Sequence, residues 1–149
     1  MKSRNITFEE ELQVHGRIVY YNKGISMMPL LRQDRDLLVV EPIGGRRCRK
    51  GEVVLYKRGQ DYILHRVTKV LPEGYVTWGD HNWKRDPIVY DDQILGVMTS
   101  LVRNGKEIFM DALSYRLYSE VWIHIVIPMR SMFLRGKRKI RQVRNRLLR

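Results

Sequence analysis

The 149-residue chain has a single cysteine, Cys48. An intramolecular disulfide and the usual Cys-rich zinc sites are therefore excluded. Cys48 lies in GGRRCRKGE beside Arg46, Arg47, Arg49 and Lys50, where neighbouring cations could lower the thiol pKa, but a catalytic role is not expected. No CxxC pattern or fixed partner accompanies it. Long apolar runs are also missing: VWIHIVIPM spans only nine residues and includes His124, whereas a membrane-spanning helix needs about twenty apolar residues. The opening MKSRNITFEEELQV has three glutamates and no continuous apolar stretch, so no secretory signal is expected and a cytoplasmic protein is the default. Repeats and low-complexity linkers are absent, as are a helix-turn-helix pattern ahead of the strand-rich region and an RNA-binding signature. Nothing in the pattern calls for a metal or a cofactor.

Acid is missing from one end. Residues 130–149 carry nine Lys/Arg and no Asp or Glu, which leaves 19 basic against 16 acidic side chains in the rest of the chain. The formal charge of +12 is thus mostly a property of the tail. Preceded by Trp122, Ile123, Ile125, Ile127, Met129 and Phe133, such a tail fits a helix lying on an anionic membrane surface. Peripheral attachment at the inner face of the membrane is the corresponding expectation. The same charges could hold nucleic-acid phosphates nonspecifically, a reading the pattern favours less.

What is present reads as one mainly β domain over residues 1–111, followed by a basic helical tail over 112–149. Thr7-x-x-Glu10 resembles a capping box, and Phe8 and Leu12 follow at near-helical spacing, so a short helix is predicted over about 7–15, ending near Gly16. The segments RIVYY, DLLVVEP, EVVLYKR, YILHRVTKV, YVTWGD and QILGVMTSLVR are β-branched or aromatic runs separated by turn formers, which predicts six or seven strands. Asn104-Gly105 adds a hairpin signal, because this pair readily takes the positive φ angles of a type I′ turn. From Leu113, fourfold spacing through Leu117, Val121 and Ile125 predicts a helix, with Pro128 marking a kink or stop.

One hydroxyl in this chain invites a chemical question. Ser26 lies in GISMMPLL between Gly24 and Met27-Met28-Pro29, and a serine becomes a nucleophile only when a base takes its proton. Period-two reading of YILHRVTKV puts His65 on one strand face with Ile63 and Val67, where it is either a core histidine whose ring nitrogens meet backbone groups or a base that partial burial keeps neutral. A carboxylate must then orient the ring. WGDHNWKRD offers Asp80 and Asp86, and spacing alone does not choose between them; either aspartate could equally serve a turn.

The blocks G-x-S-M-x-P, RQDRDLLVV, G-E-V-V-L-Y, L-H-R-V, G-D-x-N with a further Asp, and L-G-V occur in this order between Gly16 and Val97. This order resembles the signal peptidase I and SOS-repressor group of serine peptidases, and the lead-in TFEEELQVHGRIVYY is similar to that of soluble, anchorless members. The resemblance implies a signal-peptidase or SOS-repressor-like β body, with Ser26 as nucleophile. It implies a histidine base at His65, as in endoplasmic-reticulum and archaeal-type signal peptidases, where bacterial members have lysine. It implies Asp86 as the supporting carboxylate of the histidine branch, and Asp80 as the Gly-Asp aspartate that shapes the site. Gly24 replaces a serine that often helps bind the oxyanion, so the hole would rest on backbone N–H groups at Ser26 and Met27. Arg35 and His81 also depart from the group's glycine and asparagine. The implied substrate is a peptide with small residues such as Ala or Gly at the cleavage site. A catalytically silent scaffold of the same fold, or a membrane- or nucleic-acid-binding module acting through the tail, are the rival readings.

Overall fold

The computed structural model describes residues 6–147. Helix α1 (Phe8–His15) begins at the expected capping box: Thr7 Oγ1 accepts from the Glu10 N–H at 3.2 Å, and Glu10 Oε2 accepts from the Thr7 N–H at 2.9 Å. Two of the four orphan donors of the first turn are thereby satisfied. The helix ends at Gly16, whose N–H donates to the Leu12 carbonyl at 2.9 Å. Phe8 packs on the rings of Tyr20 and Tyr62, and Glu9 receives hydrogen bonds from Lys57 Nζ at 2.6 Å and the Tyr62 hydroxyl at 2.5 Å. These contacts fasten α1 to the sheet.

Seven strands follow: β1 (Ile18–Tyr21), β2 (Leu37–Glu41), β3 (Val53–Arg58), β4 (Asp61–Leu71), β5 (Gly74–Trp78), β6 (Ile94–Arg103) and β7 (Lys106–Phe109). They form one antiparallel sheet of order β1-β2-β6-β3-β4-β5, with β7 also paired to β6. The fold is mainly β, as the alternating runs predict. Asn104 and Gly105 take φ angles of 51° and 73° between β6 and β7, the conformation their sequence anticipates. Alternation along β3 sends Val53 and Leu55 into one apolar cluster with Met27, Leu31, Leu38 and Met98. Val54 and Tyr56 enter a second cluster with Val67, Tyr75 and Val89. The sheet is thus covered on both faces.

Cys48 belongs to the second cluster and is buried. Burial pushes its thiol pKa up, outweighing a hydrogen bond from Tyr75 and the field of Arg46. The basic side chains beside it in sequence reach outward while the sulfur faces the core, so the thiol is not the accessible, activated kind.

After a turn at residues 110–112 the chain is helical. Helix α2 (Leu113–Val121), a π-helical turn (Trp122–Val126) and helix α3 (Ile127–Leu147) run without a break. Pro128 does not stop the helix. A proline ring clashes with the carbonyl four residues back and supplies no N–H. The wider turn just before it accommodates this, and the Ile127 N–H reaches back to the Trp122 carbonyl. One side of the helix meets the β body through Tyr115, Ser119, Ile123 and Ile127, all buried.

Candidate active site

His65 stands on β4, nearly buried, with its neighbours Ile63 and Val67 in the second apolar cluster. The Tyr56 ring meets it edge-on at 6.4 Å between centroids. Asp86 reaches it because the chain after β5 folds back along that strand. The Asp86 N–H donates to the Thr77 carbonyl at 3.0 Å, and Val89 and Tyr75 exchange hydrogen bonds at 2.7 and 3.0 Å. This return brings Asp86 Oδ2 within 2.6 Å of His65 Nδ1. Thr77 Oγ1 donates to the same oxygen at 2.9 Å, and Arg58 lies 3.8 Å from Oδ1. Burial alone would raise the Asp86 pKa, but the His65 hydrogen bond, helped by Thr77 and Arg58, holds it below the ordinary carboxylate value. An ionised carboxylate only accepts. Nδ1 must therefore carry a proton, and in a neutral imidazole of this tautomer Nε2 is the acceptor.

The Nε2 side faces the loop that follows β5. Asn82 Nδ2 lies 3.4 Å from Nε2, and Asn82 is itself fixed by accepting from Trp78 Nε1 at 2.9 Å through its carbonyl. Ser26 meets the same loop: its carbonyl accepts from the His81 N–H at 2.7 Å. A side chain at position 79 would put its Cβ 2.7 Å from both the Ser26 carbonyl oxygen and Asn82 Nδ2. Glycine is needed there because the serine turn and the Asn82 loop approach so closely. Ser26 is half-buried and Met27 beside it is buried. Among the described residues Ser26 Oγ makes no hydrogen bond with His65. The structure thus joins His65 to Asp86 directly, and joins the Ser26 turn to His65 through Gly79–Asn82.

Asp80 is elsewhere. Its carboxylate forms a bidentate pair with Arg66, Nε to Oδ1 at 2.8 Å and Nη2 to Oδ2 at 2.7 Å, and also accepts from the Tyr118 hydroxyl at 3.0 Å. Arg66 and Asp80 side chains are both fully buried. Asp80 thus fixes the start of the loop that carries His81 and Asn82 without touching the imidazole. Gly24 is exposed, and its carbonyl accepts from Asn22 Nδ2 at 2.7 Å. The N–H groups of Ser26 and Met27 make no hydrogen bond among the described residues.

The serine turn is held from behind by a charge clamp. Arg103 on β6 donates from Nη2 to the Leu30 carbonyl at 2.6 Å and to Asp36 Oδ2 at 2.7 Å, and from Nε to Asp36 Oδ1 at 3.0 Å. Arg35 also contacts both Asp36 oxygens. Burial raises the Asp36 pKa, but the hydrogen bonds from Arg103 and Arg35 overcome it and hold it far below the ordinary value. A carboxyl with a depressed folded pKa contributes stability that is complete above its unfolded value near 4 and is lost as the pH falls through the folded one. Asp36→Asn is therefore expected to cost about 2–3 kcal/mol at pH 7, with the gap from the unaltered protein narrowing below about pH 4. Urea unfolding at several pH values measures this; a gap that persists unchanged into acid means the charge is not the stabilising feature.

Nothing in the sequence pattern marks Thr77, Tyr56 or Arg58 as neighbours of His65 and Asp86. Asn82 was signalled only as a letter of G-D-x-N, and its approach to His65 depends on how the loop folds back. A separate groove of about 850 Å³, lined by residues such as Arg17, Glu41, Lys50, Glu107 and Tyr115, contains none of Ser26, His65 and Asp86. Among the described residues no group of three His, Cys, Asp or Glu could hold a metal ion, and no helix is long and apolar enough to cross a membrane. Compared with known proteins, the chain matches no family model and no curated protein.

Proposed function

We propose that the chain is a serine endopeptidase in which Ser26 is the nucleophile, His65 the general base and Asp86 the carboxylate that orients it. The observation that carries this reading is the 2.6 Å contact of Asp86 with His65 Nδ1, which aims Nε2 toward the loop shared with Ser26. In the first step Ser26 Oγ bonds to the peptide carbonyl carbon while its proton passes to Nε2. The carbonyl oxygen, now negative, takes the N–H groups of Ser26 and Met27. His65 then gives the proton to the leaving amine as the C–N bond breaks, leaving an acyl-Ser26. Water attacks this ester with His65 again as base, and Ser26 regains its proton. Asp80 supports the loop rather than the ring. Small residues at the cleavage site are the substrate class that the family resemblance suggests.

One observation favours a catalytically silent binding protein instead: Asn82 Nδ2 lies on the Nε2 side where a serine hydroxyl would sit. Digestion of a mixed peptide library, followed by mass spectrometry, separates the two. The peptidase reading expects products ending in Ala or Gly from the unaltered protein and none from His65→Ala. Products from both proteins would exclude His65 as base, and an undigested library would support the binding reading.

A further inference from the structure

The helix that covers Arg66 on one side is apolar on the other as well. Leu113, Leu117, Val121, Met129, Met132 and Ile140 are between 47% and 71% exposed, whereas Tyr115, Ser119, Ile123 and Ile127 are buried against the β body. In an unbroken α-helix a fourfold spacing drifts by about 40° per step, so the exposed residues would wind about half-way round by position 133. They do not, because the π-helical turn at Trp122–Val126 takes up about one extra residue and sets the phase back by about 100°. Met129, Met132 and Ile140 return into line with Leu113, Leu117 and Val121. The result is one continuous stripe, about 100° wide, opposite the docked face.

Beyond the π turn the borders of the stripe are charged with one sign; before it, exposed Glu120 pairs with His124 at 3.0 Å. Arg135 and Lys139 fall along one edge, Lys137 and Arg144 along the other, all exposed. No acid occurs after Glu120. An apolar band flanked by long cationic side chains suits the boundary between lipid tails and anionic headgroups, where the apolar residues enter and the Lys/Arg stems extend to the phosphates. Phe133 packs against Trp83 with the rings tilted at 45° and their centroids 5.8 Å apart, and Arg130 lies 5.4 Å over the Trp83 ring. Trp83 is half exposed and directly follows Asn82. The stripe therefore continues into an aromatic residue at the edge of the candidate site.

We propose that α2, the π turn and α3 together form a surface anchor that lies flat on an anionic lipid bilayer, with the stripe from Leu113 to Ile140 facing the acyl chains and Trp83 at the headgroup level. The proposal is independent of peptidase activity, and its assay contains no peptide. Full-length protein is expected to sediment with phosphatidylcholine vesicles containing phosphatidylglycerol, weakly or not at all with phosphatidylcholine alone, and less as salt rises. Two variants built at exposed positions divide the contributions. Leu117→Ser with Val121→Ser, Met129→Ser and Met132→Ser, and separately Arg135→Gln with Lys137→Gln and Lys139→Gln, are each expected to reduce binding roughly tenfold or more. Quenching by brominated lipid provides a check on the unaltered fold: it should fall when Trp83 is replaced by Phe. Absence of vesicle binding would overturn the proposal, as would binding that the serine variant leaves intact, which would mark a charge-only surface suited to nucleic acid. Concentration-dependent dimers without vesicle binding would assign the stripe to a second copy of the chain.

Discussion

Ser26→Ala is expected to lower peptide cleavage by about four orders of magnitude or more while leaving thermal unfolding almost unchanged. The two halves of this expectation have different physical origins. Turnover depends on Oγ, because no other atom of residue 26 can accept the acyl group and surrender a proton to His65. Stability does not depend on it. The turn is held by the Ser26 carbonyl, which accepts from His81, by Met27 and Leu31 in the core, and by Arg103 on the Leu30 carbonyl. Alanine retains all of these, and the hydroxyl has no hydrogen bond to lose among the described residues, so the change belongs with small surface effects of within about 0.5 kcal/mol. Parallel measurement of product formation and Tm tests both halves. Unchanged turnover excludes Ser26 as nucleophile; a collapse in Tm would instead make the hydroxyl a structural group.

The same site shows how far the chain can be read without coordinates. Strand positions were legible because period-two alternation and turn pairs such as Asn104-Gly105 are local properties, fixed within a few residues. Period two also placed His65 with Ile63 and Val67. The choice between Asp80 and Asp86 was not legible from spacing. Both follow the same strand, and only the return of the chain along β5, seen in the Val89 and Asp86 hydrogen bonds to Tyr75 and Thr77, decides which carboxylate reaches Nδ1. The surroundings of Cys48 were not legible, because its neighbours in sequence are cations whereas its neighbours in space are Val54, Tyr56 and Tyr75. Of the kink or stop expected at Pro128 the continuing helix excludes the stop, and a local rule about α-helices does not foresee the π turn immediately upstream. Arg66 gave no sequence signal of its role, since nothing in a basic side chain next to His65 announces complete burial.

That burial makes Asp80 the position where a small change should do the greatest structural damage. Arg66 donates from Nη1 to the Gly51 carbonyl at 3.0 Å, the Tyr115 hydroxyl at 2.9 Å and Ser119 Oγ at 3.0 Å, so every face of the guanidinium is committed. Burial works against its charge, and the Asp80 hydrogen bonds outweigh that effect, leaving its pKa above the ordinary value. Asp80→Asn keeps the shape but removes the only carboxylate against this cation among the described residues. Leaving such a charge buried and unpaired is expected to cost about 3–5 kcal/mol, a large share of the stability of an ordinary domain. The loss should spread in two directions. Tyr118 and Trp122 bind Asp80 from the helix, at its carboxylate and its carbonyl, so α2 loosens from the β body; and His81 and Asn82 follow it in sequence, so the contacts with Ser26 and His65 loosen too. Urea unfolding should show a lower midpoint with little change in slope. The double variant Arg66→Met, Asp80→Leu separates charge from packing: removing both ions eliminates the unpaired cation, and should restore much of the midpoint lost by Asp80→Asn. If the double variant is as unstable as the single one, the hydrogen bonds that Arg66 makes to Gly51, Tyr115 and Ser119, rather than its pairing with Asp80, are what holds the helix to the sheet.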